Sequence, residues 1–570
     1  MSKNNPEEKT LYAELSQERK DLQEEGLLPD WYTTNAWIMF KQKYLYKADN
    51  YKEQIERISK TLARHTDEPH LWSRKFFKLI WNGWLSPSTP VLANCGTDRG
   101  LPVSCCGSYT GDSVESFYDS YKEVAMLSKY GFGTSSFLSD IRPRGTSFGK
   151  GDGTADGVVP VITMLTNTIR QIRQTSRRGA GAWYLDIEHD DFWELCDYMK
   201  NNPDDLNIGW CIRDTFLSRM DDRDEDAIKR YQRALKIKVV TGKGYFVFTD
   251  KANRLAPEPI KNSGMPILAS NLCSEIFLPS NKDYTYTCVL SSMNLSKYNE
   301  WKDTDAVFES TVFLDCVASE FIHAAKDCVG IDNAIRFTKE FRALGLGVLG
   351  FHTYLQDEGI AFGSMDARNE NVRIFKNMRS ESERASRWMA EKWGEPKFCK
   401  GTGMRNATLM AIAPTMSTSL LCGSVSQGIE PVYKNVFTQS SAAGEMKRIN
   451  PALLKLLKSR GMYNDDVIDS IIDNKGSVFH LDFITDEEKN IFKTAFEIDQ
   501  KTIIRMASAR QRYIDQGQSL NLFFSADESE RYISDVHNLA FKDPYIKALY
   551  YLRSEAGVSA AKSVCSACEG

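Results

Sequence analysis

The pentapeptide Asn271-Leu-Cys-Ser-Glu275 sets an amide, a thiol and a carboxylate at alternate positions. If the segment is extended, alternation puts Asn271, Cys273 and Glu275 on one side and Leu272 on the other. Glu275 can then accept or return a proton, Asn271 can hold a hydroxyl or carbonyl, and Cys273 can react. The plain alternative is a small apolar cysteine buried between polar neighbours, as most free cysteines are. Two more thiols stand on segments of their own: Cys105, in Ser104-Cys-Cys-Gly107, and Cys288, in Tyr286-Thr-Cys-Val-Leu290. They form a redox pair only if the fold brings their Cα atoms within about 7 Å.

The chain closes on Cys565-Ser-Ala-Cys568. A zinc site needs about four ligands, and no second pair of this spacing is present. A thioredoxin-type motif would sit at a strand-to-helix junction, whereas this one follows the small, polar Gly557-Val-Ser-Ala-Ala-Lys-Ser563. A dithiol on a flexible tether suits disulfide exchange at another site, and incidental cysteines in a disordered end are the alternative. Tyr550-Tyr551, taken alone, read as core aromatics. Ala413-Pro-Thr-Met-Ser-Thr-Ser419 reads as a helix opening, with Pro414, Thr415, Met416, Ser417 and Thr418 placed to receive a phosphate. Such residues also cap helices without any ligand. The loop from Arg142 to Gly153, with Ser176-Arg-Arg-Gly179 downstream, offers arginines and glycines to a second phosphate-bearing ligand. It matches neither the P-loop nor the dinucleotide fingerprint. Among seven histidines, only Glu320-Phe-Ile-His323 has the Glu-x-x-His spacing, and a carboxylate-bridged dimetal bundle wants two such pairs. No metal centre is expected on this chain.

The elements that must position these groups follow from periodicity. Residues 1–84 show helical spacing, as in Leu11, Leu15 and Leu22, then Trp37, Phe40 and Tyr44. From Leu85 to about Gly181, glycines and prolines punctuate short apolar runs around one helix at about 114–130. Residues 186–236 look helical and charged. Ile237-Lys-Val-Val240 and Tyr245-Phe-Val-Phe248 look like strands joined at Thr241-Gly-Lys-Gly244. Alternating strands and helices continue to about Val436 and favour an α/β architecture. Beyond them come helices with charged faces, including 451–459 and 486–507.

Composition bounds the function classes. Of 570 residues 42% are apolar and 26% charged, which is ordinary globular usage. Lys and Arg number 72 against 76 acids, so no global field draws in nucleic acid or an anionic membrane. No apolar run approaches the roughly 20 residues of a membrane span. The first residues carry no apolar signal segment, and the 13 cysteines cannot all pair within one chain. A cytoplasmic protein with mostly reduced thiols is expected.

Together these motifs resemble the large, catalytic subunit of ribonucleotide reductase, from about Leu85 onward and in that family's order. Ser86-Pro-Ser-Thr-Pro90 and Val103-Ser-Cys105 resemble the substrate-binding turn and first redox cysteine. Asn271-Leu-Cys-Ser-Glu275 resembles the finger loop, Thr287-Cys-Val-Leu-Ser-Ser-Met-Asn-Leu295 the partner-cysteine segment, Pro414-Thr-Met-Ser-Thr-Ser419 the phosphate turn and Leu549-Tyr-Tyr-Leu-Arg553 the radical relay. The resemblance implies a ten-stranded α/β barrel of two five-stranded parallel halves around a central finger loop. It would span 85–545, between a helical segment over 1–84 and, over 546–570, the relay tyrosines and a flexible redox tail.

The resemblance also implies roles. Cys273 becomes a thiyl radical, Glu275 takes the 3′-hydroxyl proton and Asn271 orients the sugar. Cys105 and Cys288 finish as a disulfide, Cys565 and Cys568 re-reduce it, and Tyr550 and Tyr551 relay the radical. Thr89, Ser104 and residues 414–418 bind substrate, a ribonucleoside diphosphate. Asp112 and Arg142 bind a deoxynucleotide or ATP effector at a homodimer interface. The implied partners are a small subunit carrying the metal or radical cofactor and a thioredoxin- or glutaredoxin-like reductant. The family's regulatory ATP-cone is not evident before Ser86, so inhibition by dATP through such a module is not expected. Met416 stands where the phosphate turn is often polar, and the stretch from Tyr184 to Ile208 leaves little room for a long loop. The competing readings are an adenosylcobalamin-dependent reductase, which makes its radical locally and needs no tyrosine pair, and a redox-responsive nucleotide-binding protein, which leaves Asn271, Glu275 and the tyrosines unexplained.

Overall fold

The computed structural model describes residues 6–103, 105–149, 153–172, 179–203, 205–441 and 444–555. Ser104, Ser176 and the cysteines Cys565 and Cys568 lie outside them.

Five parallel strands form one half of a barrel: β1 (Cys105–Tyr109), β2 (Gly133–Phe137), β3 (Gly181–Asp186), β4 (Ile208–Ile212) and β5 (Tyr245–Phe248). A helix lies between each strand and the next: Val114–Lys129, Val158–Gln171, Phe192–Asn201 and Glu225–Thr241. Strands β4 and β5 are buried at every residue, as befits parallel strands covered on both faces. The second half begins with the parallel pair β6 (Leu290–Asn294) and β7 (Gly345–Leu349). Residues 408–412 and 517–519 continue it through the parallel bridges Leu346–Met410 and Ile412–Gln518. This half is less regular than five full strands, and the Asp515 carboxylate takes the backbone N–H groups of Leu409 and Met410.

Two ribbons close the barrel. On one side Tyr286–Thr287 pairs antiparallel with β1, and the Cys288 amide donates to the Cys105 carbonyl at 2.9 Å. On the other, Ala548–Leu549 pairs antiparallel with β5, and Leu522–Phe524 runs parallel to Leu552–Ser554. Residues 269–278 are buried at every position, running through the interior between the halves.

The N-terminal segment is helical as expected: Pro6–Glu24, Thr34–Lys43, Tyr51–Ala63 and Pro69–Trp81. Side chains of Thr33 and Asn50 cap the second and third helices. These helices share one core with helix Ala306–Ala324 and helix Met365–Trp393. Strand Leu85–Pro87 then pairs antiparallel with β6.

Three expectations need correcting. Residues 237–240 are not a strand but the end of helix Glu225–Thr241, which Gly242 terminates in the left-handed region at φ 73°. The apolar run reads equally as a helix face, because Ile237 and Ala234 point inward while Val240 is 76% exposed. Within 186–236, β4 interrupts the helices, hidden by the charged sequence on both sides. The helix expected over 486–507 is two, Asp486–Ile491 and Gln500–Gln511. Asp499 caps the second by accepting from the Lys501 amide.

Candidate active site

The finger loop does not reach its geometry by strand alternation. Residues 271–275 form a tight turn in which Ser274 takes a left-handed φ of 62° and its amide donates to the Asn271 carbonyl. Asn271 Oδ1 accepts from the amides of Glu275 and Ile276 at 3.0 and 3.1 Å, so this side chain organises the turn it sits in. Its Nδ2 then points at Glu275 Oε1, 2.9 Å away, and at Cys105 Sγ, 3.4 Å away. Leu272, which alternation would turn away, lines the same cavity as Cys273.

Distant segments lock the turn. From β3, Tyr184 donates its hydroxyl to the Asn271 carbonyl at 2.5 Å. The Ser519 hydroxyl lies 2.7 Å from the Cys273 carbonyl and 2.9 Å from Glu275 Oε2. The Gly517 amide donates to the Glu275 carbonyl at 2.7 Å, and Gln516 Oε1 accepts from the Phe277 amide at 2.8 Å. Ser519, Gln516 and Tyr184 have no motif around them and are invisible to spacing arguments.

The thiols converge. Cys105 and Cys288 hydrogen-bond to each other, and burial, followed by the Cys105 thiol, pushes the Cys288 thiol well above the ordinary range. The buried Cys288 is therefore held as a neutral S–H group. On the other side of the finger loop, the Tyr550 hydroxyl donates to Cys273 Sγ at 3.6 Å. Tyr551 packs against Tyr550 with ring centroids 4.0 Å apart and planes tilted by 45°, and Tyr245 of β5 lies 4.7 Å from Tyr550 and 5.4 Å from Tyr551. Lys238 Nζ donates to the Tyr550 carbonyl and, at 3.1 Å, to that of Gly244. Burial alone lowers this lysine to about 7.

Cys105, Asn271, Cys273 and Glu275 open onto a cavity of about 920 Å³ including its mouth. Thr89 and all of 414–418 line it, with Ser86, Ser88, Ser291 and Ser292. Helix Met416–Leu421 begins there, as expected. Among the described residues, Glu275 is the one charged side chain in the lining, and the others offer a phosphate hydroxyls and amides. Asp112 and Arg142 do not line this cavity. They pair with each other, Arg142 Nε donating to Asp112 Oδ2 at 2.6 Å, beside helix Val114–Lys129, whose Val114 and Tyr118 are 66% and 67% exposed. Among the described residues, no cluster of three or more His, Cys, Asp or Glu is arranged to hold a metal ion, and no helix is long and apolar enough to cross a membrane.

Comparison with known proteins agrees with this geometry. A family model for the ribonucleotide reductase barrel domain matches residues 103–229, 225–400 and 393–552, and one for the ribonucleotide reductase all-alpha domain matches 30–100. A ribonucleoside-diphosphate reductase large subunit sequence of Frog virus 3 is 35% identical over 523 residues, covering 86% of this chain and 91% of its own. The large subunit of Invertebrate iridescent virus 3 is 29% identical, covering 86% and 88%. Among solved structures, the α subunit of the Actinobacillus ureae class Id ribonucleotide reductase superposes with a TM-score of 0.86 at 40% identity, covering 92% of this chain and 98% of that one. Matches that run through both the helical segment and the barrel, around a cavity of this construction, make the chain a member of the ribonucleotide reductase large-subunit family.

Proposed function

We propose that this cavity reduces the ribose 2′-carbon of a ribonucleoside diphosphate by thiyl-radical chemistry. One observation carries the reading: Tyr551, Tyr550 and Cys273 are in continuous contact, and two thiols stand across the finger loop from that contact. The contact is what a radical arriving from a separate small subunit requires, and an enzyme making its radical locally with adenosylcobalamin would have no use for it.

The residues divide the work as follows. Cys273 gives its S–H hydrogen to the Tyr550 phenoxyl, and its thiyl then takes the 3′-hydrogen of the substrate. Glu275, oriented by Asn271 and Ser519, accepts the 3′-hydroxyl proton. The 2′-hydroxyl leaves as water with a proton from the Cys105–Cys288 pair. The two thiols supply two electrons, become a disulfide, and Cys273 returns a hydrogen to C3′. The sum is one ribonucleotide and two thiols giving one deoxyribonucleotide, one disulfide and one water.

Thr89, Ser104, Thr415, Ser417 and Thr418, with the backbone at Pro414 and Met416, take the sugar and diphosphate in this reading. Cys565 and Cys568 reduce the disulfide and are recharged by a thioredoxin- or glutaredoxin-like protein. The metal or radical cofactor belongs to the small subunit. Asp112 and Arg142 receive an ATP or deoxynucleotide effector where two copies of the chain meet, which the exposed Val114 and Tyr118 support.

Cys273→Ser should abolish deoxynucleotide formation, measured with the small subunit and dithiothreitol, while substrate binds within about twofold of wild type. Turnover by that variant would end the reading. Replacing both Cys565 and Cys568 by Ser should stop turnover with a protein reductant and spare it with dithiothreitol. Loss of both activities would remove the shuttle role from the tail.

A further inference from the structure

Behind the relay lies a second, smaller cavity of about 390 Å³. Its lining includes Met416, Glu430, Ser519, Asn521, Tyr550 and Arg553. Among the described residues, Glu430 is the only carboxylate in that lining, and the reductase chemistry above makes no use of it.

Two neighbours, Asn521 and Arg553, link it to Tyr551. Glu430 Oε1 accepts from Asn521 Nδ2 at 2.6 Å, and Asn521 Oδ1 in turn accepts from the Tyr551 amide at 3.0 Å. An amide side chain has one donor and one acceptor end, so the carboxylate decides which end of Asn521 faces Tyr551. On the opposite side, the Arg553 guanidinium lies over the Tyr551 ring, 5.1 Å from its centroid. Arg553 lines the same cavity as Glu430, and burial holds the Glu430 carboxyl up at about 7 against the pull of Arg553, Asn521 and Arg510. Ser519, which shares the cavity, holds Glu275 and the Cys273 carbonyl.

We propose that Glu430 is a positioning residue for radical transfer, fixing the backbone of Tyr551 through Asn521 and its ring through Arg553. The inference rests on the relay reading above. The step it serves is balanced: Tyr551 loses one electron and its phenolic proton to the small subunit's oxidised side chain, then regains a hydrogen atom from Tyr550, which takes one from Cys273. Glu430 exchanges no proton or electron. It holds the first ring at 4.0 Å from the second, and transfer between positioned groups is sensitive to shifts of about 1 Å.

The test uses the full chain with its small subunit, cytidine diphosphate, ATP and dithiothreitol. Glu430→Leu should lower kcat on the order of 10- to 100-fold and leave KM and the dissociation constant for cytidine diphosphate unmoved. Glu430→Gln, which keeps an acceptor for Asn521 and loses the charge on which Arg553 acts, should fall between Leu and wild type, and it covers the case in which the Leu variant fails to fold. Because Glu430 and Arg553 act as one unit, Glu430→Gln combined with Arg553→Gln should be no slower than the slower single variant. With Tyr551→3-aminotyrosine, an easily oxidised reporter, Glu430→Gln should reduce the paramagnetic radical formed on mixing. Unchanged kcat and radical yield in the Gln variant, or losses that multiply in the double variant, would overturn the proposal. Tyr551→Phe separates the two readings. If it turns over, the relay itself fails; if it is dead while the Glu430 variants are normal, only this inference fails.

Discussion

At the scale of single residues, the site works by using each polar atom for one purpose. Asn271 spends its oxygen on the turn and its nitrogen on Glu275 and Cys105. Ser519 gives Glu275 a second contact, on the other carboxylate oxygen. A hydrogen bond to a charged acceptor contributes about 1.5–3 kcal/mol, and this one holds the carboxylate in the orientation from which, in the proposed reaction, it would take the proton. Ser519→Ala should therefore lower kcat about tenfold, roughly 1.4 kcal/mol of barrier, with little change in KM. A steady-state assay in which kcat held and KM rose would make Ser519 a substrate-binding group instead. The triad of Asn271, Cys273 and Glu275 was legible from its residue types. Their conformation was not, because a turn closed by an asparagine side chain and an alternating strand share this sequence.

Among elements, the two cysteine segments meet because a glycine lets them. Gly107 of β1 stands opposite Tyr286, and a Cβ at Gly107 would fall 2.0 Å from Tyr286 Cζ. The Tyr286 ring occupies that space, with its hydroxyl 3.2 Å from Ser135 Oγ. Gly107→Ala should force the ribbon away from β1, costing about 1–3 kcal/mol in thermal or denaturant unfolding. It should also slow disulfide formation between Cys105 and Cys288 in a single turnover, followed by thiol counting. A variant as stable as wild type with the same rate of thiol loss would show that the ribbon yields freely. Periodicity did not locate this strand, since residues 104–107 read as turn residues, and the pairing of β1 with a segment about 180 residues later depended on barrel closure, which no local pattern encodes.

Across the whole molecule, a buried charge cluster ties helix Ala306–Ala324 to the segments that carry β7 and residues 405–412. Asp315 accepts from Arg342 Nη2 at 2.7 Å and Arg405 Nε at 3.0 Å, and Asn406 Nδ2 donates to it at 2.9 Å. Arg342 occupies the left-handed region at φ 49°, which this anchorage holds in place. Burial alone would raise the Asp315 carboxyl, but Arg342 and Arg405 outweigh it and hold the group down at about 2. Since an unfolded aspartate titrates near ~3.9, its contribution to stability is complete above that pH and is lost as pH falls through about 2. Asp315→Asn leaves two arginines without their counter-charge and should cost about 3–5 kcal/mol at pH 7. The deficit should shrink on acidification toward pH 2, as read from urea melts at several pH values. A deficit independent of pH would place the effect in packing rather than charge.

The sequence by itself determined the inventory: which thiols, acids and tyrosines exist, the helical character of the first 84 residues, the strand–helix alternation of the barrel, and the order in which the motifs fall. Those follow from side-chain chemistry and from periodicities that act over a few residues. The tertiary structure alone decided that Cys105 meets Cys288, that Tyr550 reaches Cys273 from 277 positions away, that Ser519 serves Glu275 across 244, and that Glu430 sits behind the relay. Contacts of that span exist only once loops have closed and the two half-barrels have met, so they are properties of the assembled core and leave no trace in local spacing.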